Sequence, residues 1–329
     1  MWLVGVSANA EVPDGVWTMP EPTGLEFTTF TADGERYYLY HPAAKMFFSA
    51  GNNWGTQASV RTFGIQVWLE PATEADAPDG SYELWDENTN PERSTGNGNV
   101  FTDDGNSSWV DHGTQGNYSW AYEIVGDCVR FQNVALIADK PEFAGTYLGF
   151  TGSYNLTEIS GTGAGNLDAY TSVLRHVSPT AEGACVDWKA VTVDSYEAFV
   201  ANEAAFAAYE NGAKAYIASC VLKETIEKAE ALYIDVTAAL AVYNNTASTA
   251  DQLAQAANNL TPLVNAKQKL KDAIEEYEAK GFTATAGAKA VLTNPQATLA
   301  EVEKGLTDFD TLQREVLRRA GETGEVSDL

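Results

Sequence analysis

Arg36-Tyr37-Tyr38-Leu39-Tyr40 is the stretch on which the reading of the first half of the chain turns. Its short apolar alternation is that of a β-strand, and two later stretches carry it again: Ser81-Tyr82-Glu83-Leu84-Trp85 and Cys128-Val129-Arg130-Phe131. Leu39, Leu84 and Phe131 are 45 and 47 residues apart, a spacing that signals internal repetition. Beyond each strand the order of events recurs: a polar loop, an apolar run, a glycine, then an aromatic. The first unit gives Phe47-Phe48-Ser49-Ala50-Gly51-Asn52-Asn53-Trp54, and the second Val100-Phe101-Thr102-Asp103-Asp104-Gly105 followed by Trp109. The third gives Tyr147-Leu148-Gly149-Phe150-Thr151-Gly152-Ser153-Tyr154. Each unit closes on a tryptophan, Trp68, Trp120 and Trp188, and Gly-Thr-Gln recurs at 55–57 and 113–115. One such unit cannot bury its own apolar face, whereas three together close a sheet and share a core. The pattern predicts a β-trefoil over 24–191 with the closing tryptophans at its centre, each burying ~150–250 Å². A two-sheet sandwich is the alternative, and it would not require three similar units.

The grammar changes between Val191 and Asp194, where a period of two gives way to a period of 3.6 in an Ala-, Leu-, Glu- and Lys-rich sequence. Thr298 with Glu301, and Thr249 with Gln252, are capping boxes ahead of apolar-periodic runs. Thr261-Pro262 predicts a further helix start, and Gly281 the end of that helix. Leu222-Lys223-Glu224…Ile226…Glu230 matches Leu270-Lys271-Asp272…Ile274…Glu278, and 241–253 matches 290–302, with a one-residue slip between. The fold class expected is therefore multi-domain β + α: an N-terminal β-trefoil followed by an all-α region of helical-bundle repeats, 194–320, with copies at about 221–260 and 269–309.

At 329 residues the chain has room for two domains, and 44% hydrophobic with 11% aromatic residues excludes whole-chain disorder. Its formal charge of −26 repels phosphate backbones and anionic lipid, so neither nucleic acid nor a membrane surface is an expected partner. No uninterrupted apolar run of ~18 residues occurs, so no membrane insertion is expected. Residues 1–10 end in Ala8-Asn9-Ala10 before the polar Glu11, like the remnant of a secretory signal peptide rather than a chance run of small residues, so a location outside the cytoplasm, secreted or at the cell surface, is expected. Residues 321–329 read as a disordered tail. Three cysteines form no disulfide framework; Cys128 and Cys185 either pair or remain free thiols.

Two resemblances bear on these halves. Tyr37-Tyr38-Leu39-Tyr40…Met46-Phe47-Phe48-Ser49-Ala50-Gly51-Asn52-Asn53-Trp54-Gly55-Thr56-Gln57-Ala58-Ser59 resembles secreted proteins of gut anaerobes that carry a ricin-type, lectin-like β-trefoil. Val186-Asp187-Trp188-Lys189 followed by Asp194-Ser195-Tyr196-Glu197-Ala198 is similar to the end of those regions, and Gln66-Val67-Trp68 spells the Q-x-W of ricin-type repeats. The later units depart from it, since neither Trp120 nor Trp188 has a Gln two residues before it. The helical repeats resemble FIVAR-type three-helix modules, spacers of cell-surface and carbohydrate-active proteins, most closely in Asn245…Thr249 and Asn294…Thr298. The resemblance implies a non-catalytic carbohydrate-binding protein presented on helical spacers, with a glycan or glycoprotein as partner and no cofactor. The alternatives are a structural or protein-binding adhesin-type protein without sugar affinity, and an ancillary region of a larger carbohydrate-active enzyme.

Motifs for chemistry are sparse. G-x-S-x-G, H-E-x-x-H and the P-loop are absent, and Gly161-Thr162-Gly163-Ala164-Gly165 has no following Lys. His41, His112 and His176 fall in separate units. Asp86-Glu87-Asn88-Thr89-Asn90 begins like a calcium loop but continues with Pro91 where Gly is required and Asn97 where Glu is, so it reads as a solvated turn. No catalytic residue and no metal ligand is expected. Sugar binding needs a flat apolar ring face and planar amides or carboxylates. Asn52, Asn53, Trp54 and Gln57 supply that mixture in the first unit, and Asp104, Asn106, Trp109 and Asp111 in the second; Tyr154 and Asn155 offer less in the third. Trp54, between a Gly-Asn-Asn turn and Gly55, either stacks on a sugar or folds back as a core cap.

Overall fold

The structure is a computed structural model that describes residues 15–51, 56–73, 77–87, 98–102, 107–111, 118–151, 173–283 and 285–323. A β-rich N-terminal region is followed by a helical C-terminal region. Each stretch read from alternation is a strand: β2 (Tyr37–His41), β6 (Tyr82–Asp86) and β10 (Cys128–Asn133). The others are β1 (Phe27–Thr28), β3 (Met46–Gly51), β4 (Gln57–Arg61), β5 (Gln66–Pro71), β7 (Gly98–Thr102), β8 (Ser108–Asp111), β9 (Ser119–Val125), β11 (Tyr147–Thr151), β12 (Arg175–Val177), β13 (Ala184–Cys185) and β14 (Lys189–Thr192).

Pairing closes the main sheet on itself. Seven strands run β2–β3–β4–β8–β7–β6–β5 and back to β2, giving a barrel-like sheet with every neighbour antiparallel. β14 and β1 extend it beyond β2, while β9 and β10 extend it beyond β6. A bridge between Val129 and Trp188 joins β10 to the approach of β14, so β2–β5–β6–β9–β10–β14 also returns to its start.

The register repeats in threes. Tyr37 opposes Val67, Tyr82 opposes Trp120, and Val129 opposes Trp188. Two residues further along, Leu39 opposes Ala190, Leu84 opposes Leu69, and Phe131 opposes Tyr122. Leu39, Leu84 and Phe131 are fully buried, each contributing about 2–3 kcal/mol by burial. Trp120 and Trp188 are fully buried too; their indole N–H groups donate to the Val100 carbonyl at 2.8 Å and the Leu148 carbonyl at 3.0 Å. In the first unit this position belongs to Val67. Trp68 is one residue out of step and therefore points to the opposite face of β5, where it stacks on Trp85. The expectation that three tryptophans are equivalent is corrected on that ground.

β4, β8 and the residue before β12 converge at Ala58, Ser108 and Leu174, all fully buried. The Leu174 N–H donates to the Ala58 carbonyl and the Ser108 N–H to the Leu174 carbonyl, both at 2.9 Å, and Gln57 pairs with Trp109 beside them. Cys128, Cys185 and Cys220 are free.

The helices are α1 (Val134–Asp139), α2 (Val193–Ala201), α3 (Glu203–Ala231), α4 (Thr237–Tyr243), α5 (Ala250–Ala279), α6 (Ala286–Leu292) and α7 (Leu299–Thr323). Two compact units divide between Lys214 and Ala215, inside α3: one is Met19–Lys214, the other Ala215–Leu329 with Met1–Thr18. The change of sequence grammar at 191–194 lies before that division because α2 and the start of α3 belong with the strands. The Tyr196 ring stacks on Tyr38 at 3.6 Å, its hydroxyl accepts the Gly64 N–H at 2.6 Å, and the Tyr209 hydroxyl donates to the Lys45 carbonyl at 2.7 Å.

In the helical unit the repeat is visible residue by residue. Leu222 and Leu270, Ile226 and Ile274, and Leu253 and Val302 are buried pairs in one core. The capping boxes form: Thr249 with Gln252 and Thr298 with Glu301 exchange backbone and side-chain bonds at 2.7–3.3 Å. Asn245 and Asn294 accept the N–H two residues on, at 3.1 and 3.0 Å. Pro262 does not start a helix. It lies within α5, which runs unbroken because buried Leu253, Ala257, Val264, Leu270 and Ile274 hold both sides of it against the core. α7 continues helical through Thr323, past the point where the sequence reading ends it; Glu315 there holds Arg318 at 3.0 Å and Arg319 at 2.8 Å.

Candidate functional site

Directly opposed residues on neighbouring strands share a face of the sheet, as do residues two apart on one strand. These rules collect a row across four strands. Trp68 opposes Trp85, Trp85 opposes Asn99, and Asn99 opposes Asp111. Two residues along, Phe101 opposes Trp109, and Trp109 opposes Gln57. Leu69, Leu84, Val100 and Val110 alternate with them on the other face, 5% exposed or less.

Rings and hydrogen-bonding groups interleave on this face. The Trp68 and Trp85 rings lie 6.2 Å apart and 15° from parallel, and the Arg36 guanidinium sits 4.0 Å over Trp68. Trp68 Nε1 donates to Glu70 Oε1 at 2.9 Å, and Gln57 Nε2 to Ser107 Oγ at 3.1 Å. Trp85 Nε1, Asn99 Oδ1 and Trp109 Nε1, by contrast, are buried and meet no hydrogen-bond partner among the described residues. An unmet buried polar group costs about 1–3 kcal/mol. Two indole donors and an amide acceptor in that state share one face of the sheet.

At the hairpin end of β7, the Thr102 hydroxyl lies 3.0 Å from the Ser108 hydroxyl and 3.1 Å from His176 Nε2. Burial pulls the His176 imidazole down to about 4, so it is neutral at pH 7. Thr102 and Ser108 are fully buried, and this chain fastens β7, β8 and β12 to one another rather than presenting a nucleophile.

Of the residues proposed from sequence, Gln57 and Trp109 are brought together as a cross-strand pair, and Asp111 takes its register position opposite Asn99. Trp109 and Asp111 are strand residues, not loop residues. Asn52, Asn53, Trp54, Asp104 and Asn106 lie outside the described residues, as do His112, Tyr154, Asn155 and residues 1–10. Asp86 is not in a solvated turn: it ends β6 and is buried, because the strand continues one pleat past Trp85. Trp85 and Asn99 escaped sequence reasoning; the signal available was their alternation with Leu84 and Val100. Among the described residues no group of three or more His, Cys, Asp or Glu side chains could hold a metal ion. Comparison with protein-family models, curated proteins and solved structures gave no match.

Proposed function

We propose that this is a non-catalytic carbohydrate-binding protein, secreted or displayed at the cell surface, with a lectin-like β-trefoil of ricin type followed by two FIVAR-like helical spacer modules. The trefoil reading is supported by the threefold register: six opposed pairs share one spacing, and one hairpin from each unit meets the other two at Ala58, Ser108 and Leu174. The spacer reading is supported by the paired capping boxes and Asn turns of the helical repeats.

The observation that carries the binding reading is the face bearing Trp85, Asn99, Phe101, Trp109 and Gln57, with its three unmet polar atoms. Aromatic rings suit the C–H face of a pyranose, and the indole N–H and amide groups suit its hydroxyls. A glycan array on the intact chain tests this, followed by titration of any glycan retained. Trp109→Ala is expected to weaken that glycan about tenfold or more, since ~1.4 kcal/mol is a factor of ten. A flat array together with clear capture of a protein partner overturns the sugar reading in favour of the adhesin-type alternative.

Among the described residues no helix is long and apolar enough to cross a membrane. A formal charge of −26 supports the expectation that nucleic acid is not a partner.

A further inference from the structure

Among the described residues, Lys267 is the one Lys, Arg, Asp or Glu side chain with no exposed surface. It lies on α5, the helix shared by both helical repeats, and its three ammonium N–H groups face four main-chain carbonyls within hydrogen-bond distance. Two belong to the turn after α3, Leu232 at 3.2 Å and Tyr233 at 3.0 Å. The other two belong to the turn after α6, Leu292 and Asn294, both at 2.8 Å. Leu292 is the last residue of α6 and the other three follow α3 or α6 within two residues, so the partial negative charge at the two helix ends favours a cation there. Burial pulls the amine down to about 8, which still leaves it protonated at neutral pH. The positions that correspond to Lys267 in the repeat, Ser219 and Val316, are buried but carry no cation. The arrangement thus exists once, at the junction of the two copies. A second link runs alongside it on the surface, from Gln296 Nε2 to Asp235 Oδ2 at 3.1 Å and from the Asp235 N–H to the Pro295 carbonyl at 3.3 Å.

We propose that Lys267 is an internal latch that couples the two helical repeats, so that the turn after α3 and the turn after α6 open together and the pair behaves as one cooperative body. Opening of either turn takes two acceptors from a buried charge and lets water reach it, which weakens its hold on the other turn and makes the second opening easier than the first. A spacer built this way does not hinge between its modules.

Hydrogen exchange by mass spectrometry on the intact chain tests the latch. In the unsubstituted protein the amides of Leu232–Ile234 and Thr293–Asn294, all hydrogen-bonded, should exchange through one opening event with opening constants within about threefold of each other. In Lys267→Met, which keeps an unbranched stem one atom shorter and removes the charge, both turns should lose protection at least tenfold while the capped start of α7 keeps its own. Lys267→Ala should recover protection in both turns on addition of n-propylammonium and not of tetramethylammonium, which has no N–H to donate. Opening constants that differ more than tenfold in the unsubstituted chain overturn the proposal even if neither variant folds. Loss confined to one turn in Lys267→Met overturns it as well.

Discussion

The turn that ends the long helix of each repeat offers a substitution experiment whose sign and size follow from backbone geometry. Gly281 has φ +86°, and a methyl group built on it meets no heavy atom within 4 Å. Forty-eight residues earlier Tyr233 takes the same place with φ +57°. Both N–H groups close the helix end, on the Glu278 carbonyl at 2.9 Å and the Glu230 carbonyl at 3.0 Å. A left-handed conformation costs an L-residue about 1–2 kcal/mol. Removing a glycine returns about 0.4–1 kcal/mol by restricting the unfolded chain. With no steric clash to add, alanine should be worse than glycine by about 1 kcal/mol at both positions, a fall of a few degrees in Tm. The comparison needs Gly281→Ala against the parent and Tyr233→Gly against Tyr233→Ala, because Tyr233 is only 55% exposed and the alanine variant removes the residual packing of its ring from the balance. Urea midpoints followed by circular dichroism at the helical band supply the numbers. Equal stability of Gly and Ala at either position, within about 0.3 kcal/mol, would refute the reasoning.

Two further outcomes are expected in the β-rich unit. Burial holds His41 and His176 at about 4, below the ordinary 6.5, so as pH falls the unfolded chain takes up protons first and stability present above pH 6.5 is lost down to about pH 4. Each histidine should remove about 2 kcal/mol between pH 7 and pH 5, and His176→Gln should flatten that part of the urea-midpoint curve; an unchanged slope counts against it. Trp120→Phe and Trp188→Phe each delete a buried N–H that reaches a strand carbonyl and open a cavity, so each should cost about 2–4 kcal/mol in a thermal melt. A loss below 1 kcal/mol at both would show that the repeated register does not locate the core.

What could be read in the sequence was what short-range spacing encodes. A capping box is a three-residue relation, and both formed as written. The alternation around Leu39, Leu84 and Phe131 needed no partner strand to be recognised. Pro262 shows the opposite case: Thr-Pro is a local start signal, but long-range burial on both sides of it decided that α5 continues. Trp68 shows a subtler failure. Residue type suggested equivalence with Trp120 and Trp188, whereas pairing assigns the position to Val67, and a shift of one residue along a strand turns a side chain to the other face. The candidate site suffered from the same limit. Trp109 and Gln57 were chosen as residue types suited to sugars, but their partners Trp85 and Asn99 become neighbours only through strand order. Lys267 had a readable signal, since Leu263, Lys267, Leu270 and Ile274 follow helical spacing and put a lysine on an apolar stripe.

β1 and β14 are neighbours: Phe27 opposes Val191, Thr28 opposes Ala190, and the Thr192 N–H reaches the Glu26 carbonyl at 3.4 Å. α2 and the start of α3 then cross this body, and its own ends meet as well: a methyl group built on Gly212 would lie 3.0 Å from Pro20, so the polypeptide comes in and goes out through a single narrow doorway. A body with such a doorway is a graft. It can be lifted out by a short splice between the flanking segments, set into a surface loop of another protein without stretching its host, or cut at a distant loop and rejoined across the doorway as a circular permutant. The same closeness means that tension applied to the two flanking segments falls first on the contact of Gly212 with Pro20 and on the Tyr209 bond to Lys45, so the first thing to give under load is the clasp of α3 while the closed ring behind it is spared.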